Sequence, residues 1–301
     1  MTSQPTQQPT PALRTLTLDA PGVTLTYDVR GDLAATTADR PALLLVGSPM
    51  TAEGFGTLAS YFPDRPVVTY DQRGTGCSTR TDDATESTPE QHGDDLGRVV
   101  EALGAGPVDL FATSGGAVNA LALVTARPDL VRTLVAHEPP LAAFLPDREP
   151  VLAANRDIGE TYQRDGFGPA MAKFIRLVMV EDPLPASYAD EPAPDPAAFG
   201  LPTEDDGRRD DALLAQNNRS CVPYEPDLDR LRSTSTRVVV AGGEASARQL
   251  AGRAAAGLAD ALGTHLTVFP GDHTGFLGGE FGQTGLPEPF AARLREVLSA
   301  G

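Results

Sequence analysis

Val108-Asp109-Leu110-Phe111-Ala112-Thr113-Ser114-Gly115-Gly116-Ala117-Val118-Asn119-Ala120-Leu121 reads as a short apolar strand, a sharp turn at Ser114 and the start of a helix. A serine on so tight a turn is crowded from both sides. Small residues must therefore stand two positions before and after it, and Ala112 and Gly116 do. The turn also forces Ser114 to a positive φ, a region a non-glycine residue enters only when its surroundings hold it there. Its hydroxyl would then stand at the top of a sheet. The NH of Gly115 would lie at a helix N-terminus, where unpaired donors favour negative charge. One local structure thus supplies a nucleophile and half of an oxyanion site. A serine capping an ordinary helix leaves the same short pattern, so the rest of the chain must decide.

The chain has 301 residues and 41% hydrophobic content, enough for one large α/β domain with an insertion. Its formal net charge is −17, and Lys173 is the only lysine. Such an acidic chain carries no electrostatic footprint for nucleic acid or an anionic membrane surface. Cys77 and Cys221 are read as two free thiols of a reducing compartment. The four histidines, His92, His137, His265 and His273, are scattered and make no metal-binding spacing. Residues 1–12 are rich in Thr, Gln and Pro, with no basic or apolar leader segment, and are expected to be a disordered tail. The protein is expected to be soluble and cytoplasmic.

Thr15–Leu18 and Val23–Val29 alternate as half-buried strands around the turn Ala20-Pro21-Gly22. Ala42–Val46 is continuously apolar, as a strand covered on both faces should be, and ends in Gly47-Ser48-Pro49-Met50. A helix over about Glu53–Tyr61 and a strand at Pro66–Tyr70 lead to Asp71-Gln72-Arg73-Gly74-Thr75-Gly76-Cys77-Ser78. Thr88, with Pro89 at the first helical position, opens a helix striped by Leu96, Val99, Val100 and Leu103 and stopped at Gly104. His92, in its first turns, is expected at the surface or in a cap. After the Ser114 segment, Leu130–Ala136 is another buried strand and runs into His137-Glu138-Pro139-Pro140.

From Leu141 to Arg232 the strand–helix alternation stops. This stretch holds amphipathic pieces, notably Ala170–Met179, and is too long for a connection. Phe144, Phe167, Met171, Phe174, Ile175, Val178 and Met179 are its candidates for an apolar pocket lining, although most of them are expected to pack the insert onto the core. Arg237–Ala241 resumes the sheet, a helix covers about Arg248–Leu262, His265–Phe269 is the last strand, and a final helix runs over about Glu288–Leu298. Alternating strands and helices argue for a mostly parallel sheet with helices on both faces.

The Ser114 turn resembles the nucleophile elbow of the α/β-hydrolase fold, G-x-S-x-G, with Ala112 in the first glycine's place. Asp71–Ser78 resembles the D-x-R-G-x-G-x-S loop common to that fold, where its role is structural. The resemblance implies an eight-stranded, mostly parallel sheet with helices on both faces. Residues 13–140 and 233–301 would form the core, and 141–232 a helical cap inserted before the last two strands. It implies that Ser114 is the nucleophile and that His273, on the loop after the last strand, is its base. The second oxyanion NH would come from the Gly47–Met50 loop. Pro49 has none, so Ser48 is the first choice and Met50 the second. Gly115 supplies the other.

The acid is less direct. In the G-x-x-D pattern after the strand that follows the cap, Ser246 stands where the aspartate belongs. Glu244, two residues earlier, is one substitute. Glu138, at the end of the strand before the cap, is the preferred one. Haloalkane dehalogenases carry their acid there, and His137-Glu138-Pro139-Pro140 resembles the His-Glu-x-Pro of fungal zearalenone lactonases, whose acid is that glutamate. Those lactonases use a cap tryptophan, and this chain has none. Dehalogenase or epoxide hydrolase chemistry would need an aspartate at position 114. The expected activity is hydrolysis of a carboxylic ester or lactone of a medium-sized hydrophobic substrate through an acyl-enzyme, without cofactor or metal. A C–C bond hydrolase with the same triad is one alternative. A non-hydrolytic tailoring or ligand-binding protein on the same fold is the other, and a Glu138 turned away from His273 would favour it.

Overall fold

The computed structural model describes residues 13–84 and 86–300; the expected N-terminal tail lies outside them. Strands β1 (Leu13–Ala20) and β2 (Val23–Arg30) form the anticipated antiparallel hairpin. They are followed by β3 (Leu43–Val46), a 3-10 turn at Ala52–Phe55, helix α1 (Gly56–Ser60) and β4 (Val67–Asp71). Next come β5 (Thr79–Arg80), α2 (Pro89–Leu103), β6 (Val108–Thr113), α3 (Gly115–Ala126) and β7 (Val131–His137). The insert carries α4 (Arg148–Asp165), α5 (Phe167–Met179), a π-helical turn (Ala212–Asn217), α6 (Asn218–Cys221) and α7 (Leu228–Ser233). The chain closes with β8 (Arg237–Gly243), α8 (Leu250–Leu262), β9 (Thr267–Phe269) and α9 (Pro287–Ser299).

The main sheet runs β1-β2-β4-β3-β6-β7-β8-β9, eight strands as expected. The pairs from β4–β3 through β8–β9 are all parallel. The two-residue β5, which the sequence reading did not anticipate, pairs with β2 as a ninth. Period-two alternation sends successive side chains of the buried strands into two different cores. Leu44, Val46, Leu110 and Ala112 pack on the side of α2, α3 and α8. Leu43, Leu45 and Phe111 pack on the side of α9 with Phe269, Phe276 and Phe290. A third core belongs to the insert, where α4 presents Val151, Ala154, Ile158 and Tyr162 at helical spacing to Ala170, Leu177 and Leu214. That core extends onto Leu250 and Ala254 of α8. Asp147 ties the same two parts together, accepting from Arg253 at 2.7 Å and from the Leu184 NH at 2.7 Å.

Two local expectations change. His92 is buried, with only 4% of its surface exposed. Gly93 lets α2 lie so close to α3 that a Cβ there would sit 2.9 Å from the Leu123 nitrogen, and this approach draws His92 inside. Burial, then the charges of Arg73 and Arg80, pull its pKa down to about 3. The last strand begins at Thr267, so His265 lies in an exposed connection after the left-handed Gly263 cap of α8. Both cysteines are unpaired, Cys77 exposed and Cys221 buried. Among the described residues, no helix is long and apolar enough to cross a membrane.

Candidate active site

The parallel register sets Val46 beside Ala112 and Thr113 beside His137, with His137 beside Ala241. The carboxyl ends of β3, β6, β7 and β8 are therefore level. The residues that follow them (Ser48, Ser114, Glu138 and Ser246) emerge at one edge of the sheet, where open α/β sheets place their sites.

Ser114 has φ +57° and ψ −133°, the strained geometry expected of the turn. Its NH donates to the His137 carbonyl at 2.9 Å. The small residues around it are required by backbone contact. A Cβ on Gly116 would lie 2.7 Å from the Gly47 carbonyl carbon, and one on Gly115 would lie 2.9 Å from the Ser48 carbonyl oxygen. Gly115, the first residue of α3, thus abuts Ser48, and the two expected oxyanion residues come together.

The loop after β3 is held from beneath by Gln72, only 1% exposed, whose side-chain amide donates to the carbonyls of Gly47 and, at 2.8 Å, Met50. Asp71 accepts from the NH groups of Ala52 (2.9 Å) and Cys77 (2.7 Å). Arg73 forms a buried two-pronged pair with Asp95 at 2.7 and 2.8 Å. The Asp71–Ser78 loop is therefore a scaffold.

Glu138 is fully buried and has φ +50°. Its backbone NH donates to the Ala241 carbonyl at 2.9 Å, and the backbone turn sends its carboxylate toward His273. His273 Nδ1 lies 2.6 Å from Glu138 Oε2. Glu138 Oε1 accepts from the Gly243 NH at 2.8 Å and from the Ser246 hydroxyl. Burial pushes the carboxyl up, but the His273 hydrogen bond, the charges of His137 and His273 and the Ser246 hydrogen bond outweigh it and bring the group down to about 2. Glu244 is exposed; its NH donates to the Phe269 carbonyl at 2.9 Å. Of the two candidate acids, only Glu138 meets His273.

His137 lies beneath this pair. Its ring stands 6.2 Å from that of His273 and 5.4 Å from that of Phe290, and its Nδ1 meets the Thr113 hydroxyl at 3.1 Å. Burial leads the causes that bring it to about 4, so the ring is neutral at pH 7.

Ser114 and His273 share the wall of a cavity of about 510 Å³ beneath the insert. Phe174, Leu177, Val178, Leu213, Val222 and Leu250 make it mainly apolar; Asn217, Asn218, Gln249 and Gln283 add amides, and Asp272 a carboxylate. Among the described residues, no lysine or arginine lines it. Phe174, Val178 and Met179 line it as expected, whereas Phe167 and Met171 pack against the insert's own core and Phe144 against the main core. A second cavity of about 340 Å³ adjoins Ser48, Thr113, Ser114 and His273. A larger cavity of about 720 Å³ on the outer side of α4 holds none of these residues. Among the described residues, no group of three His, Cys, Asp or Glu is placed to hold a metal ion.

Two residues in contact with the site have no sequence signal of their own. Asn217, at the end of the π-helical turn, donates to Ser48 Oγ at 2.6 Å across 169 positions. Ser246 was visible only as a serine in an aspartate's place.

Comparison with known proteins agrees with this architecture. The profile of a family described as alpha/beta hydrolase fold matches residues 43–187. An uncharacterized hydrolase of Bacillus subtilis, YraK, is 28% identical over 288 residues, spanning 94% of this chain and 95% of that protein. Among solved structures, a thermophilic esterase from Thermogutta terrifontis superposes with a TM-score of 0.65 at 19% identity, covering 95% of this chain and 98% of its own. A proline iminopeptidase from Mycobacterium smegmatis does so with a TM-score of 0.59 at 21% identity, covering 95% and 98%. These likenesses agree that the chain has the α/β-hydrolase fold.

Proposed function

We propose that the protein is a serine hydrolase that cleaves a carboxylic ester or lactone of a neutral, medium-sized hydrophobic substrate. The observation that carries this reading is the contact of His273 with a buried, ionised Glu138, beside a strained Ser114 on the wall of one cavity. A serine hydroxyl is a weak nucleophile and needs a base to take its proton during attack. Ser114 Oγ bonds to the acyl carbon while its proton passes to His273 Nε2. Glu138 holds the Nδ1 proton and the ring orientation, and stabilises the imidazolium. The NH groups of Gly115 and Ser48 face the oxyanion. The carbon–oxygen bond to the leaving group then breaks, and His273 returns the proton to that oxygen. Water, deprotonated by His273, adds to the acyl-enzyme, and the acid leaves with Ser114 restored. The sequence requires no metal or cofactor.

The pocket supports the substrate class. Its apolar walls favour burial of a hydrocarbon body, and a charge entering it would meet no lysine or arginine, only the Asp272 carboxylate. The insert acts as the cap. A pure ligand-binding role loses support, because Glu138 meets His273 and is not turned away from it.

The test is fluorophosphonate labelling with the adduct located by mass spectrometry, followed by a panel of p-nitrophenyl esters and aliphatic lactones. Labelling at Ser114 and turnover that peaks at intermediate acyl lengths are expected. Wild-type protein that is well folded yet neither labelled nor active on any member of the panel would overturn the reading.

A further inference from the structure

The hydrogen bond between Asn217 and Ser48 joins the insert to the loop beside Ser114, and the acyl-transfer steps above do not use it. Asn217 is 7% exposed and lines the cavity of about 510 Å³ with Ser114. Its position is over-determined. Asp211 Oδ1 accepts from the NH groups of Leu213 (3.0 Å) and Leu214 (2.9 Å) and so caps the π-helical turn. The Asp211 NH in turn donates to the buried Tyr162 hydroxyl at 2.9 Å. Wide π turns in otherwise α-helical stretches are costly and concentrate at functional sites. Here the turn ends with Asn217 pressed against Gly115, where any side chain on the glycine would run into the amide.

The chemistry at Ser48 follows from counting. A serine hydroxyl has two acceptor lone pairs and one proton. Asn217 Nδ2, donating at 2.6 Å, takes a lone pair. The proton is left to be given elsewhere, and among the described residues the Ser48 hydroxyl donates to no protein acceptor. Ser48 is 4% exposed and lines the smaller cavity with Thr113, Ser114 and His273. Its carbonyl oxygen abuts Gly115, whose NH is the first oxyanion donor. A buried hydroxyl that already accepts one hydrogen bond must turn its proton away from that donor, which leaves the proton available to a developing charge.

We propose that the Ser48 hydroxyl is itself an oxyanion donor, and that Asn217, reaching down from the insert, is the positioning residue that turns its proton toward the acyl oxygen. The inference rests on the serine hydrolase reading above. It makes the third donor a side chain and makes its orientation depend on the seating of the insert. A substrate that holds the insert down would complete the oxyanion site, whereas an insert lifted away would leave the Ser48 proton free to rotate.

The test compares wild type, Ser48→Ala, Asn217→Ala, Asn217→Asp and the Ser48→Ala/Asn217→Ala double variant. Each is assayed for p-nitrophenyl ester turnover, for inhibition by an alkylboronic acid, which forms a tetrahedral adduct on the serine, and for thermal unfolding. Ser48→Ala is expected to lower kcat by about 100-fold with KM within threefold, because the contact strengthens only as the oxyanion forms. Asn217→Ala should lose about 10-fold. Asn217→Asp should lose more than Asn217→Ala, since a carboxylate captures the Ser48 proton and sets a negative charge beside the oxyanion. The double variant should be no worse than Ser48→Ala alone, because Asn217 acts through Ser48. Boronate affinity should fall in parallel with kcat/KM, which a merely structural role would not produce. If Ser48→Ala keeps kcat within threefold of wild type, or the double variant shows the product of the single losses, the proposal is overturned. Lack of turnover by wild type would instead sink the hydrolase reading, and this inference with it.

Discussion

Ser246 donates its hydroxyl proton to Oε1 of Glu138, and the other oxygen of the same carboxylate meets His273 Nδ1 at 2.6 Å. The residue that stands where an aspartate was expected thus supports the carboxylate proposed to replace it. The carboxylate arrives from the neighbouring strand β7, and a serine is small enough to leave it room. Ser246→Ala removes one hydrogen bond to the charged form of Glu138. Its carboxyl should rise from about 2 yet stay ionised at pH 7, so the loss of activity should come from looser orientation of His273 and not from a shifted acid limb. A pH profile of kcat/KM checks this, with a loss of roughly 10-fold at pH 7, the scale of one charged hydrogen bond.

Glu138 and Glu244 should separate cleanly. Glu138→Gln leaves His273 without its charged partner and should lower kcat by about 10³- to 10⁴-fold. Glu244→Gln changes an exposed side chain and should stay within twofold of wild type. Steady-state kinetics on one ester settle the assignment; comparable losses in both variants would refute it.

Ser114→Ala should abolish fluorophosphonate labelling and reduce turnover by at least about 10³-fold without disturbing the fold. Ser114→Gly should do the same and also relieve the strain of a φ of +57°. Its thermal midpoint should therefore equal or exceed that of Ser114→Ala, for relief on the order of 1 kcal/mol. A midpoint clearly below that of Ser114→Ala would argue that the turn stores no such strain.

Stability should fall with acid in a defined window. His92 and His137 are buried neutral, with values drawn down to about 3 and about 4, so the unfolded chain binds their protons more readily than the folded one. Their contribution is complete above the ordinary histidine value near 6.5 and is lost as pH falls toward those lowered values. Glu138, also lowered, adds a further loss below the ordinary carboxyl range. The slope is about 1.4 kcal/mol per pH unit for each proton. Urea unfolding between pH 7 and 4.5 measures it, and His92→Gln should flatten the dependence. A free energy constant over that range would contradict the account.

Gly116→Ala should destabilise the protein by about 1–3 kcal/mol, because the new methyl meets the Gly47 backbone, which cannot swing aside as a side chain can. It should also slow labelling of Ser114 by displacing the loop that carries Ser48. Chemical denaturation and labelling rates read the two effects separately. Unchanged stability would mean that the loop yields.

What could be read from the chain was what depends on short stretches. The elbow spans fourteen residues, and its small flanking side chains, positive φ and helix start are consequences of local sterics. The buried strands declared themselves as unbroken apolar runs because both faces are covered. His273 was expected at the site from its place after the last strand, and the structure brings it against Glu138. His92 was misplaced because a helical pattern says which face is apolar but not how near a glycine lets the next helix come. The choice of Glu138 over Glu244 belongs to tertiary structure. It depends on a positive φ at Glu138 and on β8 lying in register beside β7. Asn217 is the extreme case, since nothing near it in sequence marks it as part of the site. An insert of about ninety residues must fold, acquire its own core and settle on α8 before that amide reaches Ser48. Contacts that close so long a loop are selected by packing of the whole chain, and no local pattern records them.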